Sequence, residues 1–195
     1  IGGDIDVGGS CKVDGDLKFG KLDVGGVVEI SGSAQGESLD VGGKVRVGAS
    51  LQLSGKLDVG GVAEINGNLT VQTIDVGGSL KANSVKATDE VSVGGSITTV
   101  VGVTAPYVKI GRRGEVTGPI HASEVLISER ARVEDVYGGI ITMEEEARAR
   151  NLYGERVFIE SKCHVYGEVQ YTQSLKTERG IYFTKPPIKV EKIPQ

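Results

Sequence analysis

Apolar residues two apart recur along this chain at a nearly constant interval. The first such series is Ile5/Val7, Leu22/Val24, Leu39/Val41, Leu57/Val59, Ile74/Val76, Val91/Val93, Val108/Ile110, Val125/Ile127, Ile141/Met143 and Val157/Ile159, with steps of 16–18 residues. Six residues on, a second series runs through Cys11/Val13, Val28/Ile30, Val45/Val47, Ala63/Ile65, Leu80/Ala82, Ile97/Thr99, Ala131/Val133, Ala147/Ala149 and Cys163/Val165, and fits poorly at Gly114/Val116. A third, looser series includes Leu17/Phe19, Leu51/Leu53, Leu69/Val71, Val103/Ala105, Ile120/Ala122 and Val169/Tyr171; it slips by one at Val85 and Val136 and is weak at Ala34/Gly36.

Alternation with a period of two is that of a strand with one buried face. Three short strands per turn, separated by Gly or polar corners, predict an all-β fold: a single-stranded, triangular, parallel β-helix of about ten coils. At about 4.8 Å per coil the rod would be about 48 Å long. One register runs through residues 1–177, which predicts one continuous domain with Gly-rich coils over 1–106 and coils rich in Tyr and charge over 107–177. Residues 178–195 leave the repeat and carry Pro186, Pro187 and Pro194, so they are expected to end it as a cap or tail. Leu175, Ile181, Tyr182 and Phe183 are the candidate capping residues.

Composition agrees with strands and tight turns. The 195 residues include 30 Gly, no Trp and 5% aromatics, and Gly interrupts every candidate helix. Residues 144–150 look helical in isolation but lie in register with residues 128–134, so they are read as another coil. Gly is not at every third position, which excludes collagen. Net charge is −4. Residues 1–106 hold 8 bases and 13 acids, a net of −5, and residues 107–195 hold 14 and 13, a net of +1. Neither half has the basic surplus of a nucleic-acid binder. No apolar run approaches the ~20 residues that cross a bilayer as a helix. The chain starts at Ile1 and enters the repeat almost at once, which points to further sequence upstream.

Candidate chemistry is sparse. Asp-Val-Gly-Gly occurs five times, from Asp6, Asp23, Asp40, Asp58 and Asp75. Its Gly pairs open no helix, so they are read as corners of positive φ rather than phosphate loops. The five Asp point outward as an acidic ladder beside Lys21, Lys44 and Lys56, without the Gly-Gly-x-Gly-x-Asp pattern of calcium-binding β-rolls. Cys11 and Cys163 are predicted to be buried and too far apart to bridge. His121 and His164 point outward on different faces, so they cannot share a metal. Arg130, Glu146 and Lys162 are predicted to stack in one column and Arg132, Arg148 and His164 in another, flanked by Glu129 and Glu145. A basic groove for polyanions is one reading of these columns and a solvated face is the other. All six Tyr lie in the second half, and Tyr137 and Tyr153 should stack along one edge. No catalytic, cofactor-binding or metal-binding residues are assigned.

The Gly-rich, Val/Leu-alternating coils of residues 5–95, followed by Val-Tyr-Gly (136–138), Leu-Tyr-Gly (152–154) and Val-Tyr-Gly (165–167), resemble the bactofilins, the polymer-forming cytoskeletal proteins. The resemblance implies a right-handed β-helix joined end to end into non-polar filaments without nucleotide or cofactor. It also implies a scaffolding role in the cytoplasm, with attachment to membrane or other proteins. The number of coils and the two-part composition depart from that family.

Three function classes follow. The first is a non-enzymatic, self-assembling scaffold, whose self-association residues at the uncapped first coil would be Ile5, Val7, Cys11, Val13, Leu17 and Phe19. The second is a carbohydrate-binding or cell-surface rod that uses Tyr137 and Tyr153. The third is a hexapeptide-type acyltransferase or carbonic anhydrase, which would need strict six-residue spacing, a protruding loop and well-placed His.

Overall fold

Each inward pair closes a short strand against the equivalent strand one turn away. The computed structural model, which describes residues 2–194, is all-β, with no helix among those residues. The strands stack in parallel as a β-solenoid of about 11 turns, which matches the expectation of about ten coils. Spaced at about 4.8 Å, the turns make a rod of roughly 50 Å.

Three ladders run the length of the rod. On the first face, Ile5–Val7 pairs with Lys21–Val24, then Ser38–Val41 and Lys56–Val59, with Leu22 against Leu39 and Leu39 against Leu57. On the second, Ser10–Val13 pairs with Val27–Ile30, then Lys44–Val47 and Val62–Ile65. On the third, Leu17–Lys18 pairs with Ala34–Gly36, then Leu51–Leu53. From Asn68 on, several strands continue round a corner, as in Ser79–Val93 and Ser96–Ile110. The inward side chains form one core from Val7 to Val169, with Leu57, Leu80, Ile97, Ile120, Ile141 and Leu152 fully enclosed.

The Gly pairs work differently from the expectation. Among the described residues the Gly of positive φ are Gly15, Gly102, Gly118 and Gly180, and none belongs to a Val-Gly-Gly corner. What the corner needs is a missing side chain. A Cβ on Gly26, Gly43, Gly61, Gly78 or Gly95 would overlap the carbonyl oxygen of the corresponding Gly one turn before. The bare Cα lets corners stack closely enough for Lys44 N to donate to Gly26 O at 2.8 Å and Val62 N to Gly43 O at 2.9 Å. Gly36, where the third series is weak, is also explained by space, because the Phe19 ring lies where its Cβ would be.

The corner changes in the second half. Gly111–Gly114, Ser128–Ala131 and Glu144–Ala147 are four-residue turns, closed by hydrogen bonds of 2.8, 3.0 and 3.2 Å from the last N–H to the first carbonyl. Arg113, Arg130, Glu146 and Lys162 occupy the left-handed region here, with φ of 59–61°. The longer corner shifts the second series. Val116 pairs with Ile97, and Val133, Ala149 and Val165 follow it in the ladder. Ala131, Ala147 and Cys163 are therefore inward corner residues, two positions before the place the repeat suggested, and Cys163 is not equivalent to Cys11.

The final turn is made in part by the stretch expected to leave the repeat. Tyr182–Phe183 pairs in parallel with His164–Val165, and Ile188–Lys189 with Gln170 and Tyr171. These strands are two residues long, so Pro186 and Pro187 fall between them and remove no ladder donor.

Candidate functional site

The first turn is the outermost rung among the described residues. Its strands Ile5–Val7, Ser10–Val13 and Leu17–Lys18 each pair on one side only among the described residues. The inward residues there are correspondingly less covered. Val7 is 9% exposed, whereas Val24 and Val41 beneath it are at 0%. Ile5, Cys11 and Val13 are only partly buried, so Cys11 departs from the buried position expected of it. Leu17 and Phe19 are buried. All six candidate association residues thus lie in the outermost described turn, three of them buried and three partly covered. Gly9 lies in this turn, and a Cβ on it meets nothing within 4 Å, where at Gly26 and Gly43 the carbonyl of the preceding turn stands.

At the other end, Leu175 pairs with Val157 and is partly buried, as are Ile181 and Phe183, while Tyr182 is exposed. These residues cover the tenth turn as one more rung and leave their own outer edge unpaired among the described residues.

The outward columns carry the charge. Asp6, Asp23, Asp40, Asp58 and Asp75 stack in register on the first face. Asp6, Asp23, Asp40 and Asp58 edge a furrow of about 540 Å³ that also has Lys21 and Lys56 on its rim, and Lys56 Nζ reaches Asp58 at 2.8 Å. Lys44 does not join them. It lies on the second face, where Lys44 and Arg46 hold Glu64 at 2.9 Å each and keep its carboxyl below the usual range.

In the second half the two predicted columns form as read. Arg132, Arg148 and His164 follow one another in the ladder, after Glu115 and before Tyr182. The left-handed corner residues Arg113, Arg130, Glu146 and Lys162 run beside them, and the two columns enclose a furrow of about 540 Å³. Arg130 Nε donates to Glu146 at 2.6 Å, Lys162 to Glu145 at 2.7 Å and Arg112 to Glu129 at 3.1 Å.

Tyr137 and Tyr153 stack with centroids 4.9 Å apart, as expected. His121 joins the pile, 4.6 Å from Tyr137 and nearly parallel to it. The ladder places these three at one position of successive turns. The 16-residue steps between them were the available signal, and the change of residue type concealed it. The rings cover one another's faces, which are the surfaces a sugar would stack on. His164 is packed against Tyr182 and Tyr166 at 5.6 and 6.0 Å. Among the described residues no three His, Cys, Asp or Glu side chains gather to hold a metal ion.

Beside the Tyr column, Asp135 accepts hydrogen bonds from both Arg150 and Asn151, at 2.9 Å from Arg150 Nε and 2.7 Å from Asn151 Nδ2. Arg150 first, and Asn151 after it, hold this carboxyl below its ordinary range against the opposing effect of burial. A depressed folded value means that the contribution is present above the unfolded pKa of about 3.9 and is lost as pH falls through the folded one. Asp135→Asn is expected to cost about 1–2 kcal/mol at neutral pH and to flatten the acid limb of the stability curve. Thermal melts over a pH series, parent against variant, test this.

Comparison with protein-family models, with curated proteins and with solved structures returned no match to this chain.

Proposed function

We propose that this chain is a structural rod whose copies join end to end through the first turn to build a filamentous scaffold. The β-solenoid fold is consistent with a rod or scaffold. The observation that carries the end-to-end reading is the rim of the outermost turn described above. Three strands that pair on one side only among the described residues, with the half-covered Ile5, Cys11 and Val13, form a surface that another turn would complete. Unpaired strand edges with apolar neighbours tend to pair with another chain. A further turn stacked there would bury these residues as Val24, Val28 and Val45 are buried inside the rod.

Negative-stain electron microscopy of the purified chain, without nucleotide or metal, is expected to show filaments one rod wide. Val7→Asp should leave short soluble species. The two thiols give a second readout. Burial pushes the Cys163 thiol up to about 11, so it stays protonated and silent towards thiol reagents while the rod is folded. Cys11, on the rim, should label in dispersed rods and become protected on assembly. Filaments that persist unchanged in Val7→Asp, with Cys11 labelled equally in both states, would refute the reading.

A further inference from the structure

We propose that the acidic ladder of one copy docks into the basic furrow of a second copy, joining rods side by side. The contact uses the flanks of the solenoid, so it is separate from the end-to-end joint.

The furrow holds more positive charge than its own acids neutralise. Among the described residues, Arg113, Arg132 and Arg148 have no carboxylate within ion-pair distance. Arg132 lies directly against Arg148 in the parallel ladder, and like charges so opposed are destabilising. Glu115 and Glu146 also line the furrow, but Glu146 is already engaged by Arg130. The acidic ladder is the converse case. Of its five Asp, only Asp58 has a basic partner among the described residues.

Spacing points to a second copy as the occupant. Both columns place one side chain per turn, so both repeat at the same rise of about 4.8 Å. A ladder of carboxylates from another solenoid stays in phase with the arginines over several turns. Any other polyanion brings its own repeat and matches only locally. Shape agrees as well, since each furrow lies between two ridges of outward side chains and the Asp ridge of one rod can enter the furrow of the next.

The ladder occupies the first half of the chain and the basic furrow the second, on different faces. With the two rods parallel, one is therefore displaced along its neighbour by about half its length. Such a contact is heterologous and does not close on itself, so it propagates as a staggered array.

The test is sedimentation velocity on the full chain carrying Gly9→Val, which is expected to block the end joint. In ~10 mM salt, where charges act over about 30 Å, this protein should self-associate; at ~1 M, where the range is about 3 Å, it should be monomeric. Arg132→Glu with Arg148→Glu, or Asp23→Lys with Asp40→Lys, should each weaken association roughly tenfold or more while keeping the parent circular dichroism spectrum. Mixing the two double variants matches the intact ladder of one with the intact furrow of the other, and the reversed ladder with the reversed furrow, so the mixture should regain the association that each variant alone has lost. Salt-insensitive association, a monomer at every salt concentration, or a mixture that stays monomeric would overturn the proposal. So would a furrow that binds polyphosphate while the chain itself stays monomeric in low salt, because the occupant would then be a soluble polyanion.

Discussion

Gly43→Val is expected to lower stability by about 3 kcal/mol or more, a fall in melting temperature of roughly 6–12 °C, while Gly9→Val melts with the parent protein. The two residues hold the same place in the repeat and differ in what lies behind them. At Gly43 a side chain would overlap the backbone carbonyls of Gly25 and Gly26, which cannot rotate away. The turns would have to separate, and the hydrogen bonds from Gly43 N to Val24 O and from Lys44 N to Gly26 O, both 2.8 Å, would be strained with them. At Gly9 a Cβ meets nothing within 4 Å. Neither glycine has a positive φ, so the cost is one of space and not of backbone conformation. Gly9→Val should nevertheless abolish filaments, because the added side chain occupies the place of a docking turn's carbonyl. Melting and electron microscopy of the pair separate the two effects. Equal melting temperatures for Gly43→Val and the parent would refute the stacking account of the corner.

The second large effect is expected from a cavity at mid-rod. Leu80 is fully enclosed, and its strand has neighbours on both sides through Ala63 and Ile97. Leu80→Ala should cost about 2–5 kcal/mol. Val13→Ala, on the half-covered rim, should cost under about 1 kcal/mol. In a solenoid each turn touches only its neighbours, so a weak turn in the middle divides the molecule. Urea unfolding of Leu80→Ala should accordingly broaden or split into two steps, whereas Val13→Ala keeps the parent profile. A single sharp transition of parent stability in Leu80→Ala would contradict this.

Much of the architecture was legible because inward residues repeat with the turn. Leu22, Leu39, Leu57 and Ile74 announce the first face, and the structure pairs them in that order. The slip at Val85 was visible too: Leu69 pairs with Val85 at a step of 16, and the step of 17 returns at the register shift between Val71 and Thr73. Three features were hidden for separable reasons. The role of Gly26 and its equivalents depends on a neighbour 17 residues away, and a local reading of Gly sees only φ. The shift at Gly114 arises because Arg113 adopts a conformation usual for Gly, so the longer corner carried no Gly signal at that position. The last turn was missed because Tyr182 and Ile188 point outward and each is 55% exposed, so no inward pair marks it. Of the candidate surfaces, the two charged columns and the Tyr stack could be read from spacing alone. The furrow between the columns could not, since it depends on how the four-residue corners set Arg113 and Arg130 beside Arg132.

The strand pairing among the described residues is between successive turns, so the ladder hydrogen bonds lie along the rod axis. Resistance to force therefore depends on where the load is applied. Tension spread across a whole cross-section must break three ladders at once. The same force applied to one end of the polypeptide loads a single short strand, such as Ile188–Lys189, and then the next, so the rod unzips in small steps. A filament of such rods would carry axial load through its joints and be dismantled easily by anything that grips a chain terminus.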